Sequence, residues 1–416
     1  MKKIIIIFSV ILLTIITSVI IVSDLNDDNY NSISQNKEIV KNNNLYTMML
    51  ETEVGSGEYV ESTSGEWPTD DYVLNQRLSG CKNGSEISFD EEKKVVYVSA
   101  TGNDSCYVYF SKGILFADHI KDLYVSDGDN DLYLHDGIGT YGELEAGDNS
   151  YRYAGANPNN YVCFGSDEEV CPIDNLYRII GVFDENNDYQ YSVKLIKADY
   201  IKNNMLGTNG NYYGKYNENI DNYKGNMDVD DIVSYKWNDD TAVSGNGSNN
   251  WVTSELNTIN LNTNYWNYLG EKWQDKIKLS TWYLMGHNTS AQNPKYFYNI
   301  ERNGSTYGNN PTTYIDEIGL IYPSDYGYAA SPSFWSTNIG SYGSSKNENW
   351  MYLGLYEWTI TPVTNSSYRL YYLNITGAEN GANANSNYTL RPTFYLNTNV
   401  TYVSGTGTSS DPYKIQ

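Results

Sequence analysis

Histidine is scarce in this sequence, with 3 residues among 416. His119 lies in a segment with helical spacing, His135 lies in an acidic turn region, and His287 lies in a loop with no nucleophile motif beside it. The G-x-S-x-G pattern of serine hydrolases does not occur. Gly405-Thr-Gly-Thr lacks the Lys-Ser/Thr of a phosphate-binding loop and is typical of a turn. Hydrogen-bonded or solvated histidine is therefore the better interpretation, and no Ser–His catalytic arrangement is predicted.

Basic residues are also few, since 27 Lys and Arg oppose 51 Asp and Glu and the net charge is −24. Lys2 and Lys3 precede a membrane-type segment, so 25 basic residues oppose 51 acidic ones in the remainder, a net −26. A surface with this negative charge repels phosphate backbones. We therefore expect no nucleic-acid partner.

Only one long hydrophobic run occurs, from Ile4 to Val22. A helix of nineteen residues spans about 28 Å, close to the thickness of a bilayer core. Lys2 and Lys3 before the run and Asp24 after it predict a single-pass protein whose C-terminal region is extracellular. Cleavage of residues 1–23 as a signal peptide, which would make the protein secreted, is the alternative.

Cysteine is limited to 4 residues, Cys81, Cys106, Cys163 and Cys171. An even count in an exported protein indicates disulfide bonds, and the spacing favours two local pairs, 81 with 106 and 163 with 171. The other two connectivities stay open. Zinc is less favoured because the sequence has no C-x-x-C spacing and no histidine near these cysteines.

Tyrosine is abundant, with 42 residues, and Asn and Gly are also frequent. A surface rich in Tyr, Asn, Ser and Gly is typical of adaptable binding surfaces. Tyrosine also suits β-strands, and codon bias of an AT-rich genome favours Tyr and Asn. Composition alone therefore allows a binding protein but does not require one.

The chain before residue 150 divides into several short parts. Polar residues 24–70 indicate a stalk, in which 44–51 suits a short helix. Residues 71–112 contain short strands joined by turns and predict a small β-module. Residues 113–150 predict a connecting region with a short helix. Their acidic loop at 127–131 lacks the Gly and Glu that an EF-hand requires, so a solvated turn is preferred there, although calcium on another Asp cluster stays possible.

Residues 151–416 predict one large α+β domain. The apolar stretch 176–183 and the stretch 191–196 predict a buried hairpin. Helical spacing occurs across 252–277, whereas 200–250 and 286–315 are predicted as long loops. Strands at 349–362 and 391–396 are placed at the centre of the domain.

The stretch from Asn349 to Pro362, NWMYLGLYEWTITP, contains four large aromatic residues that share one parity. On a strand they point to one face, which favours a buried aromatic core over a ligand-stacking surface. Glu357 has the opposite parity, and a buried ion pair with Arg391 is its favoured role. The alternative is a glycoside hydrolase in which Glu357 and Asp325 act as paired carboxylates.

Aromatic and charged residues near this stretch are candidates for a ligand site. The candidate binding residues are Asp325, Tyr326, Trp335, Glu357 and Arg391. No metal ligand is assigned among them, and no cofactor is expected unless calcium binds elsewhere.

A resemblance extends over about residues 150–416. It rests on the motifs YRYAGANPNNYVCF, LYRIIGVF, IGLIYPSDYGYA, NWMYLGLYEWTITP, RPTFYL and GTGTSSDPYKI, and on a helix with Trp251, Ser254, Leu256, Leu261 and Asn262. This set resembles a group of uncharacterised bacterial surface proteins. Their C-terminal domain is similar to the formylglycine-generating-enzyme/C-type-lectin class of irregular α+β folds. The resemblance thus implies a lectin-like domain with mostly antiparallel strands and a few short helices.

The same resemblance implies no activity. Formylglycine-generating enzymes act through paired cysteines late in the domain, with copper, and this chain has no cysteine after Cys171. We expect a non-catalytic surface protein that binds a glycan or a protein. A carboxylate-based glycan hydrolase and a structural envelope protein are the alternatives.

Overall fold

The computed structural model describes residues 46–53, 56–68, 72–90, 93–99, 104–185, 190–240, 245–288 and 292–416. The chain divides into two compact units, with the division between Gly113 and Ile114. Among the described residues, no helix combines the length and apolarity that crossing a bilayer requires. The predicted membrane segment, Ile4–Val22, lies outside the described residues.

The first unit is built on a four-stranded sheet with the order β2-β1-β6-β3, and a separate hairpin joins β4 to β5. Strands β1 and β6 run parallel, and the other pairs are antiparallel. The strands are β1 (Tyr46–Glu51), β2 (Tyr59–Glu61), β3 (Tyr72–Cys81), β4 (Glu86–Asp90), β5 (Val95–Ser99) and β6 (Cys106–Lys112).

The Cys81–Cys106 disulfide joins β3 to β6 at directly paired positions, which confirms the first predicted bond. A small core of Met48, Leu74, Val108 and neighbouring apolar side chains lies beneath it. The predicted helix at 44–51 is wrong for its described part, because these residues form β1. Strands β1 and β2 also lie in the range predicted as a stalk, so the sheet extends beyond the predicted module of 71–112.

The second unit contains many short strands, and every pairing between them is antiparallel. They are β7 (Ile114–Leu115), β8 (Leu132–Leu134), β9 (Tyr151–Tyr153), β10 (Tyr161–Cys163), β11 (Leu176–Phe183), β12 (Ser192–Lys197), β13 (Tyr212–Lys215), β14 (Val233–Tyr235), β15 (Ser280–Tyr283), β16 (Thr313–Asp316), β17 (Glu357–Pro362), β18 (Arg369–Leu373), β19 (Glu379–Asn383), β20 (Thr393–Tyr395), β21 (Thr401–Ser404) and β22 (Lys414–Ile415).

The helices of the second unit are short. The α-helices are α1 (Phe116–Asp122), α2 (Asn203–Leu206), α3 (Trp266–Leu269), α4 (Glu271–Gln274), α5 (Pro294–Asn303) and α6 (Pro323–Tyr328), and a π-helix spans Leu256–Tyr265. Turns of 3-10 helix occur at Asp129–Asp131, Ile173–Asn175, Ile220–Asn222, Val229–Asp231, Trp251–Thr253, Pro332–Phe334 and Ile339–Ser344. The described chain is therefore α+β, with mostly antiparallel strands and few helices, as predicted.

The centre of the second unit is the hairpin of β11 and β12, which confirms the predicted hairpin. It lies inside a sheet with the order β20-β12-β11-β9-β8, and β10 pairs along β11. Every residue of β11 after Leu176 is buried, because the strand is covered on both faces. The register shifts beside Gly181, where an added Cβ would lie 2.4 Å from the Tyr151 carbonyl oxygen. Glycine thus lets β9 approach at this position.

Two predictions about the central strands are wrong in part. Residues 349–356 form turns, and only Glu357–Pro362 is a strand, so strand parity does not explain the burial of Trp350 and Tyr352. Strand β17 belongs to a separate sheet, β17-β18-β19, while β20 lies at the edge of the central sheet. The aromatic residues of this stretch are nevertheless mostly core, since Trp358 is fully buried and Trp350 is 4 % exposed.

The segment 286–315, predicted as a loop, contains the ten-residue helix α5. Asn293 caps it by accepting a hydrogen bond from the Tyr296 N–H, and Pro294 occupies its first position. Phe297 and Glu301 lie on its buried side. The predicted helix of the connecting region is confirmed as α1, and the loop at 127–131 is a turn as predicted, with the Asp127 carboxylate accepting bonds from Tyr124 and Leu134.

The second disulfide joins Cys163 to Cys171 and confirms the second local pair. The two cysteines are eight residues apart in the sequence, and their bond closes the acidic turn that follows β10. Two disulfides are typical of an oxidising compartment. This turn precedes β11, so the bond restrains the entry to the central hairpin.

Candidate functional site

Glu357 and Arg391 form the ion pair predicted from the sequence. Arg391 Nε lies 2.8 Å from Glu357 Oε1, and Nη2 lies 2.9 Å from Oε2. Nη2 also donates to the Met351 carbonyl at 2.7 Å. Burial raises the pKa of Glu357, and the Arg391 charge opposes that effect. Both side chains are essentially inaccessible, so the pair stabilises an internal arrangement and does not meet solvent.

Asp325, the other predicted carboxylate, belongs to a different charge cluster. It lies on α6, where its Oδ2 accepts from Lys194 Nζ at 2.7 Å and from the Tyr322 N–H at 3.1 Å. Arg152 Nη1 lies 3.7 Å from Oδ1. Asp325 therefore caps α6 and neutralises a lysine of β12, both of which are structural tasks.

Tyr326 and Trp335 are fully buried. The Tyr326 hydroxyl donates to the Gly377 carbonyl at 2.8 Å, and Trp335 Nε1 donates to the Ala330 carbonyl at 3.0 Å. Trp335 packs with Tyr328 and His135 in a small aromatic cluster. The predicted binding set thus lies in the interior, and of its members only Glu357 and Arg391 are joined by a direct bond.

A different buried carboxylate, Glu379, lines a cavity of about 520 Å³. Glu379 begins β19 and is 4 % exposed, yet neither of its oxygens has a hydrogen-bond partner among the described residues. Burial raises its pKa to about 8, and attraction to Arg369 opposes the rise. A buried carboxylate without a partner is costly, by roughly 1–3 kcal/mol or more. Such a cost is typical of groups kept for a purpose other than stability.

The register of β18 and β19 places three side chains of β18, those of Arg369, Tyr371 and Leu373, on the face that carries Glu379. Leu373 pairs with Glu379 itself, Tyr371 pairs with Gly381, and Arg369 pairs with Asn383. Arg369 Nη2 donates to the Gly381 carbonyl at 2.9 Å, and a Cβ added at Gly381 would lie 2.7 Å from that nitrogen. Glycine therefore leaves the space in which the guanidinium crosses β19.

The remaining lining of this cavity is mostly polar, and apart from Asn380 of β19 it comes from three other segments. These residues are Asn288, Asn338, Gly340, Ser341, Val363, Asn365 and Asn380. Asn288, Asn365 and Asn380 are exposed. Carboxylate, guanidinium, amide and phenol groups therefore converge on one open space, which is the arrangement expected of a binding site for a polar ligand.

Another cavity, of about 300 Å³, has charged walls that neutralise each other. Lys278 pairs with Glu185 at 2.8 Å, and the lining Asp148 pairs with Arg152 at 2.7 Å. These groups are engaged within the protein. The cavity is for this reason a weaker candidate than the one around Glu379.

Metal-binding geometry occurs once among the described residues, at Cys81, Asp104 and Cys106. Both sulfur atoms belong to the disulfide, and Asp104 accepts hydrogen bonds from the backbone N–H groups of Asn83 and Ser85. This grouping is explained by the disulfide and the turn beside it. It therefore gives no support for a metal centre in this unit.

No pattern in the sequence pointed to Glu379 as a site residue. It lies in a polar stretch, Thr376 to Asn387, whose small residues resemble those of a surface loop. The burial comes from the pairing of β19 with β18 and from contact with the 3-10 turn Ile339–Ser344. A carboxylate next to Gly and Ala in an Asn-rich stretch is the usual pattern of a solvated turn, so only the structure distinguishes it.

Comparison with known proteins gives no significant match to a protein-family model, to a curated protein or to a solved structure.

Proposed function

We propose that this protein is an extracellular binding protein and that the cavity around Glu379 holds a hydroxyl-rich ligand of the glycan class. The observation that carries the proposal is the buried Glu379 carboxylate, which belongs to a residue in the wall of this cavity and whose two oxygens have no hydrogen-bond partner among the described residues. A ligand that donates hydrogen bonds to both oxygens would satisfy them.

The chemistry of the wall favours sugar hydroxyls over other donors. A hydroxyl group both donates and accepts, so it can donate to Glu379 while it accepts from Arg369 or from an asparagine amide. A volume of about 520 Å³ falls in the range of small-ligand pockets. A divalent cation fits less well, because Arg369 lies on the same face and Glu379 is the one carboxylate among the described lining residues.

The proposed location is the outer surface of a cell. Two disulfides support an oxidising compartment, and the apolar run Ile4–Val22 after Lys2 and Lys3 supports an N-terminal anchor. A net charge of −24 is unfavourable for nucleic acid and places no restriction on a neutral glycan. Signal cleavage and secretion would give the same extracellular function.

The proposed fold class for residues 151–416 is the C-type-lectin-like one that the sequence motifs resemble. Short antiparallel strands, long irregular connections and few helices support it. An experimental structure compared with lectin-like domains would test this assignment. A different strand order in the common core would refute it.

A glycan array probed with the full-length chain tests the function. We expect binding to a limited set of glycans, and we expect Glu379→Gln to weaken it at least tenfold. Glu143→Gln is the matched control because Glu143 is exposed in the same unit. Repeating the array with a chelator separates a calcium-assisted site from a metal-free one. If the wild-type chain bound no glycan, the glycan proposal would be refuted. Binding of a surface protein in the same experiments would then indicate a protein ligand.

The hydrolase alternative relies on Glu357 and Asp325. Each carboxylate is buried and engaged by a separate cation, Arg391 or Lys194. Neither lines a cavity described above. Their geometry favours a structural role, so the binding proposal is preferred.

A further inference from the structure

A further cavity, whose charged lining residues are mostly basic, contains a buried arginine. Arg178 lies on β11 and is 5 % exposed. Its Nε donates to Asn160 Oδ1 at 2.7 Å, and its Nη2 donates to the Pro158 carbonyl at 3.0 Å. Among the described residues no carboxylate forms an ion pair with it, whereas the buried Arg391 and Arg152 both have carboxylate partners. The charge of Arg178 is thus left without a neutralising group.

Two aromatic rings hold the guanidinium in place. Its central carbon lies 4.3 Å from the ring centre of Tyr161 and 4.6 Å from that of Trp350. Tyr161 is the residue paired directly with Arg178 across β10 and β11, so the strand register sets the first contact. Burial, together with repulsion from Arg391, lowers the pKa of Arg178 to about 10. Nη1 also donates to the Trp350 carbonyl at 3.3 Å, and Nη2 donates to Asn157 Oδ1 at 3.5 Å, so these contacts fix the guanidinium but do not neutralise its charge.

The cavity beside Arg178 has a volume of about 340 Å³. Two more cations line it, Lys224 and Lys346, and both are exposed. Lys224 Nζ donates to Asn347 Oδ1 at 3.2 Å and lies 5.3 Å from the ring centre of Tyr352. Three cations around one space are unusual in a chain with 27 basic and 51 acidic residues.

Among the lining residues that the structure describes, Asp199 is the one carboxylate, and backbone N–H groups donate to it. Its Oδ1 accepts from the Tyr200 N–H at 2.8 Å, and its Oδ2 accepts from the N–H groups of Asn226 and Met227 at 2.8 and 3.2 Å. A Cβ added at Gly225 would lie 2.4 Å from Oδ2, so glycine allows the turn to close over the carboxylate. The cavity therefore keeps a positive balance.

We infer that this cavity is a second binding site, which takes the carboxylate group of an acidic sugar. Arg178 and the two lysines supply the charge for the carboxylate. The exposed amides of Asn226 and Asn347 can bond the hydroxyl groups, while the largely buried Trp350 and Tyr352 contribute an apolar part of the cavity wall. This inference is independent of the Glu379 site, because the two cavities share no lining residue.

Calorimetric titration of the full-length chain tests the inference. Galacturonic acid and N-acetylneuraminic acid are the probes, and galactose is the neutral comparison. Glutamate represents a carboxylate without a sugar, and inorganic phosphate represents another anion. We expect the two sugar acids to bind at micromolar to millimolar concentration and galactose to bind at least tenfold more weakly.

Variants locate the site without disturbing the core. Lys224→Ala with Lys346→Ala removes two exposed charges from the cavity, and we expect at least a tenfold loss of affinity for the sugar acids. Lys215→Ala with Lys272→Ala removes two exposed charges elsewhere in the same unit and serves as the control. Arg178→Lys keeps the charge but loses the planar donors, and a loss of binding by a folded variant would support the role of the guanidinium. Glu143→Gln, an exposed change outside both cavities, should leave this binding unchanged.

Several results would overturn the inference. An equal loss of affinity for the sugar acids in the two double-lysine variants would show that only the net charge of the protein matters, not the position of the lysines. Equal binding of galactose and galacturonic acid would remove the role of the carboxylate. Tighter binding of glutamate or phosphate than of the sugar acids would refute the assignment to an acidic sugar. Failure of all probes to bind would refute the site itself, whatever the array shows for the Glu379 cavity.

Discussion

Arg391 joins Glu357 through two parallel hydrogen bonds of 2.8 and 2.9 Å, deep in the second unit. Glu379 is similarly buried, but neither of its oxygens has a partner among the described residues. The difference separates a carboxylate whose hydrogen-bonding capacity is used within the fold from one whose capacity is unused among the described residues.

Glu357→Gln should destabilise the protein strongly. The substitution leaves the Arg391 charge buried without its carboxylate, which typically costs about 3–5 kcal/mol. Urea denaturation of the variant and of the wild type measures the loss. The exposed Glu143→Gln change is the control and should alter the free energy of unfolding by less than about 0.5 kcal/mol. A loss below about 1 kcal/mol for Glu357→Gln would contradict a desolvated ion pair.

Glu379 should make the protein less stable as the pH rises. Its pKa is about 8 in the folded chain and 4.5 ordinarily, so the folded state binds the proton more tightly. The resulting stabilisation is complete below about pH 4.5 and is lost as the pH rises through about 8. Glu379→Gln should remove this dependence and raise the free energy of unfolding at alkaline pH by roughly 1–3 kcal/mol.

The groups that face Glu379 do not mask this effect. Arg369 and Tyr371 of β18 lie on the same face as Glu379, and burial raises the pKa of Tyr371 further above neutral. Tyr372 lies on the opposite face of β18, and burial also raises its pKa. Burial also raises the pKa of Tyr342, which lies on the neighbouring 3-10 turn. Burial lowers the pKa of His287 to about 4. Denaturation curves at several pH values should therefore show the wild type losing stability relative to Glu379→Gln as the pH rises from about 4.5 to about 8, and parallel curves would refute the account.

Removal of the Cys81–Cys106 bond by a double change to serine should loosen the first unit. The bond closes a loop over 25 residues and joins the strands that carry its small core. Loss of such a cross-link costs about 3 kcal/mol. Hydrogen exchange should report faster exchange in β3 and β6, whereas β11 and β12 in the second unit should keep their protection. Unchanged exchange in β3 and β6 would show that the strands do not need the bond.

Gly381→Ala should disturb the proposed glycan site without large loss of stability. The added methyl group would lie 2.7 Å from Arg369 Nη2 and would push the guanidinium off β19. The side chain of Arg369 is exposed, so it can move at little cost to the fold. We expect weaker glycan binding and a free energy of unfolding within about 1 kcal/mol of the wild type. Unaltered binding would mean that Arg369 does not contact the ligand.

The elements that the sequence predicted share strong local patterns. The hairpin of β11 and β12 has a nearly unbroken apolar strand followed by a polar turn, and both disulfides follow local spacing. Glu357 and Arg391 were paired correctly because each is a lone charge in an apolar stretch. In these cases the physical requirement is local, or it concerns a charge that cannot be buried alone.

The features that the sequence missed depend on distant packing. Helix α5 begins with Asn293 and Pro294, a recognisable start, but its Tyr- and Asn-rich surroundings resembled a loop. Strand β1 is held by β6, some sixty residues away. Glu379 becomes buried only when β19 pairs with β18 and meets the turn at Ile339–Ser344. Tertiary contacts overrode local preference at each of these places.

Titration of the full-length chain with a glycan selected on the array tests the central claim most directly. Wild type, Glu379→Gln and Glu143→Gln would be compared at one pH and one salt concentration. The account predicts saturable binding by wild type and by Glu143→Gln, and at least tenfold weaker binding by a folded Glu379→Gln variant. Equal affinity of all three proteins would contradict the assignment of the Glu379 cavity as the binding site.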